Sequence, residues 1–263
     1  PYTTLFRSEG EIRMRFTHAP HDDVTEKMAD FASAHLSTLG ALSGFIVCAK
    51  SPSCGMERVR LYDEKGNRGR KEGVGLFTGA LMARYPWLPV EEDGRLHDPL
   101  LRENFVERVF ALHELNALRA RGLTRHGLLA FHSRYKLQLL AHHQAGYREI
   151  GPFVASLHEW EDLEAFFEVY REKLMAILKQ PASRKNHTNV LMHIQGYFRN
   201  QLNSRQRGEL REVILNYRAG LLPILAPLTL LKHYLAEYPD RYLQAQNYFD
   251  PYPQDLALRL TVN

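Results

Sequence analysis

The hydrophobic pattern of this 263-residue chain changes period at Asp98-Pro99, and that change divides what the chain can fold into. Before it, short runs alternate. "HDDVTEKMADFASAHLSTLG" sets Phe31, His35, Leu36 and Leu39 on a helical stripe, with Val24 and Met28 behind it. Asp22 or Asp23 can cap its start and Gly40 can end it. "SGFIVCA" is a continuous apolar run with β-branched residues, the pattern of a buried strand. "ERVRLYD" alternates Val59 and Leu61 with polar neighbours and reads as a half-exposed strand. "EKGNRGRKEGVG" reads as a polar Gly-rich loop, "GLFTGALMARYP" as a helix and "WLPVEED" as a returning strand. Helix, strand, helix, strand at these spacings predicts an α/β unit with parallel strands.

After Asp98, a suitable N-cap with Pro99 at the first helical position, the period is helical almost throughout. The runs "PLLRENFVERVFALHELNALRARG", "RHGLLAFHSRYKLQLLAHH", "EDLEAFFEVYREKLMAILK", "NHTNVLMHIQGYFRNQL", "SRQRGELREVILNYRAG" and "PILAPLTLLKHYLAEYP" are punctuated by Gly122, Gly146, Pro181, Gly220 and Pro239. The aromatic and Pro-rich end, "DRYLQAQNYFDPYPQDLALRL", reads as an extended tail packed on the bundle. The fold class expected is therefore a partial α/β domain with an incomplete parallel sheet, over 9–108, followed by an all-α domain over 109–263.

"PYTTLFRS", Pro1–Ser8, is what one frame of a common short-read sequencing adapter translates to. It is read as a scar outside the fold, with the chain starting mid-domain. Lys and Arg total 34 against 30 Asp and Glu, a net +4 too mild by itself to imply nucleic-acid binding. "LLPILAPLTLL" falls short of the roughly 20 residues of a membrane span and carries two prolines, so no membrane partner is expected. The two cysteines, Cys48 and Cys54, cannot build a disulfide scaffold, and they fit a cytoplasmic, bacterial protein better than a secreted one.

"CAKSPSCG" is the stretch with chemical content. A strand ending in a tight turn puts Cys54 at the carboxyl edge of a sheet, where α/β folds hold ligands. There a thiolate can act as nucleophile or cluster ligand, and the alternative is a buried structural cysteine. "GFIVCAKSPSCGMERVRLYD" and "GVGLFTGALMARYPWLPVEEDGRLHDPLLRENF" resemble the C-terminal half of the thiouracil desulfurase (TudS-like) family. The resemblance implies a [4Fe-4S] cluster on three cysteines, whose open iron takes sulfur from a small thiolated nucleobase. It implies that Cys54 is one cluster ligand and that Ser51 matches a catalytic serine. Cys48 matches no family cysteine and is read as a strand residue. The other two ligands and the catalytic glutamate belong to N-terminal motifs with no counterpart here. No cofactor is therefore expected on this polypeptide, and it is expected to be inactive.

The helical half resembles the YbgA family through "FHSRYKLQLLAHH", "NVLMHIQGYFRNQL", "YRAGLLPILAPLTLLKHYL" and "QNYFDPYPQDLALR". That family has no established activity. His132, Asn189, His193 and Tyr197 form a candidate ligand pocket, or else an ordinary solvated stripe. A second class of function is nucleic-acid binding. Arg119, Arg121, Arg125, Arg134, Lys136, Arg184, Lys185 and Arg199 would line a groove interleaved with Phe131, Tyr135, Tyr197 and Phe198. Ordinary helix faces account for the same charges. No histidine pair in this half has zinc-ligand spacing.

Overall fold

The computed structural model describes residues 3–19 and 22–259. Pro1 and Tyr2 lie outside them. The chain forms two compact units, Pro1–Asp98 and Pro99–Asn263. The division falls at the change of period. The boundary expected between residues 108 and 109 lies inside the helix Pro99–Ala120.

In the first unit, β1 (Thr3–Ser8) and β2 (Glu11–Phe16) make an antiparallel hairpin. Its two-residue turn, Glu9-Gly10, has positive φ at both positions, the turn that matches strand twist. β1 pairs in parallel with β4 (Val59–Tyr62), which pairs antiparallel with β5 (Arg68–Gly73), giving the order β2-β1-β4-β5. A second, two-stranded sheet joins β3 (Phe45–Val47) in parallel to β6 (Val90–Glu92). Helices α1 (Thr25–Thr38) and α2 (Leu76–Arg84) pack on each other. The expected α/β class holds, with mixed rather than wholly parallel pairing.

Two expectations change. Residues 3–8 do take part in the fold: the "TTLFRS" run puts Leu5 fully inside a small core with Met14, Val59 and Leu61. The polar "RGRKEG" is a strand because glycines sit where it crosses β4. A Cβ on Gly69 would stand 2.3 Å from the Leu61 carbonyl oxygen, and one on Gly73 2.9 Å from a Leu61 methyl.

The second unit is helical: α3 (Pro99–Ala120), α4 (Arg125–His142), α5 (Gln144–Ala155), α6 (Leu163–Leu178), α7 (Arg184–Tyr197), α8 (Ser204–Arg218), α9 (Leu225–Glu237) and the short α10 (Arg241–Gln244). The periodicity missed α5, where Gly146, Gly151 and Pro152 look like breakers. Gly146 is instead a point of close approach, since a Cβ there would meet Ile177 at 2.7 Å. His143 caps this helix, its Nδ1 accepting the Gly146 amide at 3.1 Å. Among the described residues no helix is long and apolar enough to cross a membrane.

As expected, the tail packs back on the bundle, burying Leu243, Tyr248, Phe249 and Tyr252. Its amides replace solvent. Gln246 donates to the Ser133 carbonyl at 2.7 Å and accepts the Leu137 amide at 3.2 Å, while Asn247 donates to Glu114 at 2.9 Å. Arg259 then enters the interior. It donates to Glu103 and Glu107, both at 2.8 Å, and to the Tyr248 carbonyl at 3.0 Å. Glu107 also accepts from His142 Nε2 at 2.9 Å, and the other nitrogen of that ring faces the Gln180 carbonyl at 2.6 Å.

A thiol groove at the SPSCG turn

β3 ends at Val47, and the next residues are pinned from three directions. The Ala49 amide donates to Asp93 at 3.1 Å. Ser51 closes the turn on itself: its hydroxyl accepts the Cys54 amide at 3.2 Å and its carbonyl accepts the Gly55 amide at 2.8 Å. The first amides of α2 then dock onto the turn. Gly75, Leu76 and Phe77 donate to Gly55, Pro52 and Ser53 carbonyls at 2.8, 3.1 and 3.0 Å, and the Thr78 hydroxyl donates to the Cys54 carbonyl at 2.7 Å. A helix N-terminus presents unpaired amides, and here the turn itself satisfies them. From β6, the buried Glu92 carboxylate accepts the Met56 and Glu57 amides at 3.0 and 3.3 Å.

Such close docking admits no side chain at two positions. A Cβ on Gly75 would lie 2.5 Å from the Ser53 carbonyl, and one on Gly55 2.9 Å from the Ser51 oxygen. Backbone cannot yield as a flexible side chain can, so both glycines are set by contact.

Beside the turn lies an open groove of about 290 Å³, lined by Met28 and Phe31, the run Phe45–Cys48, Ser53, Cys54 and Phe77. Its walls are aromatic: Phe77 lies 6.0 Å from Phe31 and 6.2 Å from Phe45, and Phe31 stacks on His35 at 3.8 Å. Phe31 and Ile46, expected to be packed, are 48% and 56% exposed. The polar atoms come from Ser53 and two thiols. Ser51 Oγ, Ser53 Oγ and Cys54 Sγ form a chain at 3.1 and 3.4 Å. Since Ser51 already accepts an amide, its proton can go to Ser53, whose own proton can go to Cys54 Sγ.

Ser51 therefore shapes the turn, and Ser53, the second hydroxyl donor of the SPSCG stretch, meets the groove. Cys48 was read as a strand residue. It lies just past the strand end, exposed, on the same groove as Cys54.

A [4Fe-4S] cluster is held by about four cysteine thiolates, or three where one iron stays open. The two thiols on this groove are the only cysteines of the chain. No group of three or more metal-ligating side chains exists among the described residues. The residues present do not fit the cluster.

The second candidate pocket does not assemble. His132 is buried in α4 with Nδ1 3.1 Å from the Tyr170 hydroxyl, and burial with nearby Lys136 pushes it down to about 4. Asn189 and His193 are exposed on α7, where His193 meets Tyr197 edge-on at 5.6 Å. Tyr197 stacks on Tyr242 instead of on His132. None of these four residues lines the thiol groove or the two cavities of the helical unit, about 330 and 460 Å³. Nor does the interleaved basic groove form as expected. Phe131, Tyr135 and Phe198 are buried, so they offer no stacking faces. Arg119 is paired with Glu164 and Glu168, and Arg134 with Glu114.

Residues 2–93 match the family described as 2-thiouracil desulfurase, and residues 136–253 match a family of proteins of unknown function, DUF1722. Over 152 residues the chain is 51% identical to an uncharacterised protein of Escherichia coli (strain K12), YbgA, covering 58% of this chain and 90% of that one. A match of that length cannot fit within Pro1–Asp98, so it reaches into the helical unit. No solved structure matches the chain.

Proposed function

The chain belongs to the YbgA family, and because a unit similar to 2-thiouracil desulfurase precedes its helical one, we propose that this first unit binds a small thiolated heterocycle. The observation that carries the reading is the juxtaposition of a preformed turn, a thiol with a hydroxyl chain behind it, and a groove walled by three phenylalanines. A planar, weakly polar ring fits between aromatic faces, and a thiocarbonyl is a soft group suited to a thiol-lined wall.

The iron–sulfur part of the family resemblance goes further than these residues reach. Cys54 supplies one ligand of such a cluster, and the remaining thiolates would have to come from outside this chain's own residues. On this polypeptide alone the expected behaviour is binding without sulfur removal. Ser51 holds the turn, Ser53 orients a proton toward Cys54, and Phe31, Phe45 and Phe77 hold the ring.

The test uses the full chain and 2-thiouracil. Equilibrium dialysis should show saturable binding that is stronger than for uracil and weakened about tenfold or more by Phe77→Ala, roughly the ~1.4 kcal/mol of a lost aromatic contact. Iron and acid-labile sulfide should be substoichiometric, and no sulfide should be released. A folded chain that binds neither compound overturns the binding site. Stoichiometric iron and sulfide, or turnover, overturns the statement that the residues here are too few.

A further inference from the structure

The helical unit contains a second site, independent of the thiol groove. Where α3, α7 and the loop after α8 converge, there is a cavity of about 330 Å³. That is the lower end of the range for small-molecule pockets. One wall is apolar, from Leu100, Pro181, Leu222, Pro223 and Ile224. The other carries Glu103, Glu107, Arg184, His187, Tyr217 and Arg259.

The charges on that wall balance in number but are not all paired in space. Glu103 and Glu107 are both engaged by Arg259 at 2.8 Å, and Glu107 by His142 at 2.9 Å. Arg184 has no carboxylate partner among the described residues. It is nevertheless held in place. Its guanidinium lies 5.8 Å over the Tyr217 ring, and its Nη1 lies against Gly220, 2.3 Å from where a Cβ there would stand. Gly220 has φ +82, so its backbone also favours glycine. An unpaired guanidinium braced by a ring and a glycine, inside a cavity, is prepared for an anion.

Two more residues lining the same space each have a polar atom without a hydrogen-bond partner among the described residues. His187, one turn along α7 from Arg184, has Nδ1 2.9 Å from the Tyr248 hydroxyl and no hydrogen bond at Nε2. When that hydroxyl donates to Nδ1, the ring proton sits on Nε2 as a free donor. Burial and the charge of Arg259 hold this ring neutral, down to about 3. Glu103 accepts from Arg259 and Tyr252 through Oε1 alone, leaving Oε2 for a donor. The positive end of α7, capped by Ser183, borders the cavity and adds to the field.

We propose that this cavity binds a small organic anion, a carboxylate or phosphate ester on an apolar body that also carries an N–H or O–H donor. Arg184 takes the charge, His187 Nε2 a second anionic oxygen, Glu103 Oε2 the donor, and the Leu100–Pro223–Ile224 wall the body. Tyr217 supplies a ring face for a planar ligand.

The experiment is calorimetric titration of the full chain with salicylate, uridine 5′-monophosphate and inorganic phosphate, repeated with Arg184→Gln and with Lys185→Gln. Lys185 is the exposed neighbour that does not line the cavity. Saturable binding of salicylate or of the nucleotide, weakened tenfold or more by Arg184→Gln and unchanged by Lys185→Gln, supports the site; which of the two binds tells carboxylate from phosphate ester. Arg184→Gln should change the unliganded melting temperature little, because Arg184 gives up no hydrogen bond or carboxylate, only its place over the Tyr217 ring. Absence of binding by both organic probes overturns the proposal. So does equal loss in the two variants, and so does inorganic phosphate binding as tightly as the organic anions, since the apolar wall and Glu103 would then contribute nothing.

Discussion

Both nitrogens of His142 face acceptors, a carbonyl and a carboxylate. Burial alone would raise Glu107, but the hydrogen bond and charge of His142 and the charge of Arg259 bring it down to about 2. Removing one member strands the others in the interior. Glu107→Gln should cost about 3–5 kcal/mol in urea unfolding, more than any surface ion pair of this chain. Glu107 and the two buried histidines push the pH dependence one way, and Glu103, raised by burial and by the charge of Glu107, works against them. Glu107 sits below its unfolded value, so its contribution is complete above about pH 4.3 and is lost toward pH 2. His132 and His187 are held neutral, down to about 4 and 3, so the unfolded chain takes up their protons first and stability falls from about pH 6.5 downward. Urea midpoints at neutral and mildly acid pH should therefore decline, and His132→Gln should flatten that decline. An unchanged slope would place the acid sensitivity elsewhere. Of these residues the sequence showed only the types. Cys54 was legible because turn chemistry is local. Both serines of the turn were legible as hydroxyl donors, but not that Ser53 is the one on the groove, because that depends on backbone direction. The ion cluster was invisible because its members lie 152 and 156 positions apart.

At the scale of elements, the SPSCG turn and α2 act as one piece. Thr78→Val removes the hydroxyl bond to the Cys54 carbonyl and should lower stability by about 1 kcal/mol, read in thermal unfolding. Gly75→Ala forces a methyl onto backbone at 2.5 Å and should cost more, ~2 kcal/mol or above. It should also speed alkylation of Cys54, since the turn must leave the helix end; an unaltered alkylation rate would show the turn standing without α2. Most elements were readable from period and caps: α1, α2, β3, β4, β6 and the long helices fall where the pattern puts them. β5 and α5 were not. A strand of Arg, Lys, Glu and Gly carries no apolar alternation, and its glycines serve contacts with β4 that only the folded sheet reveals. In α5 two glycines and Pro152 resemble a break, whereas Gly146 seats the helix against Ile177.

For the whole molecule, each unit carries a core of its own. The separate core of the helical unit argues that it is self-sufficient. Residues 99–263 expressed alone should unfold cooperatively, with a helical circular dichroism spectrum, and a non-cooperative melt would contradict this. Arg259 adds a constraint of timing. A ribosome makes it after every helix it secures, so Glu103 and Glu107 emerge early and wait for their partner through the synthesis of the bundle. Until it arrives, Glu107 has His142 alone to offset its charge and Glu103 lacks its ion-pair partner, so the bundle gains its full stability only once Arg259 is made.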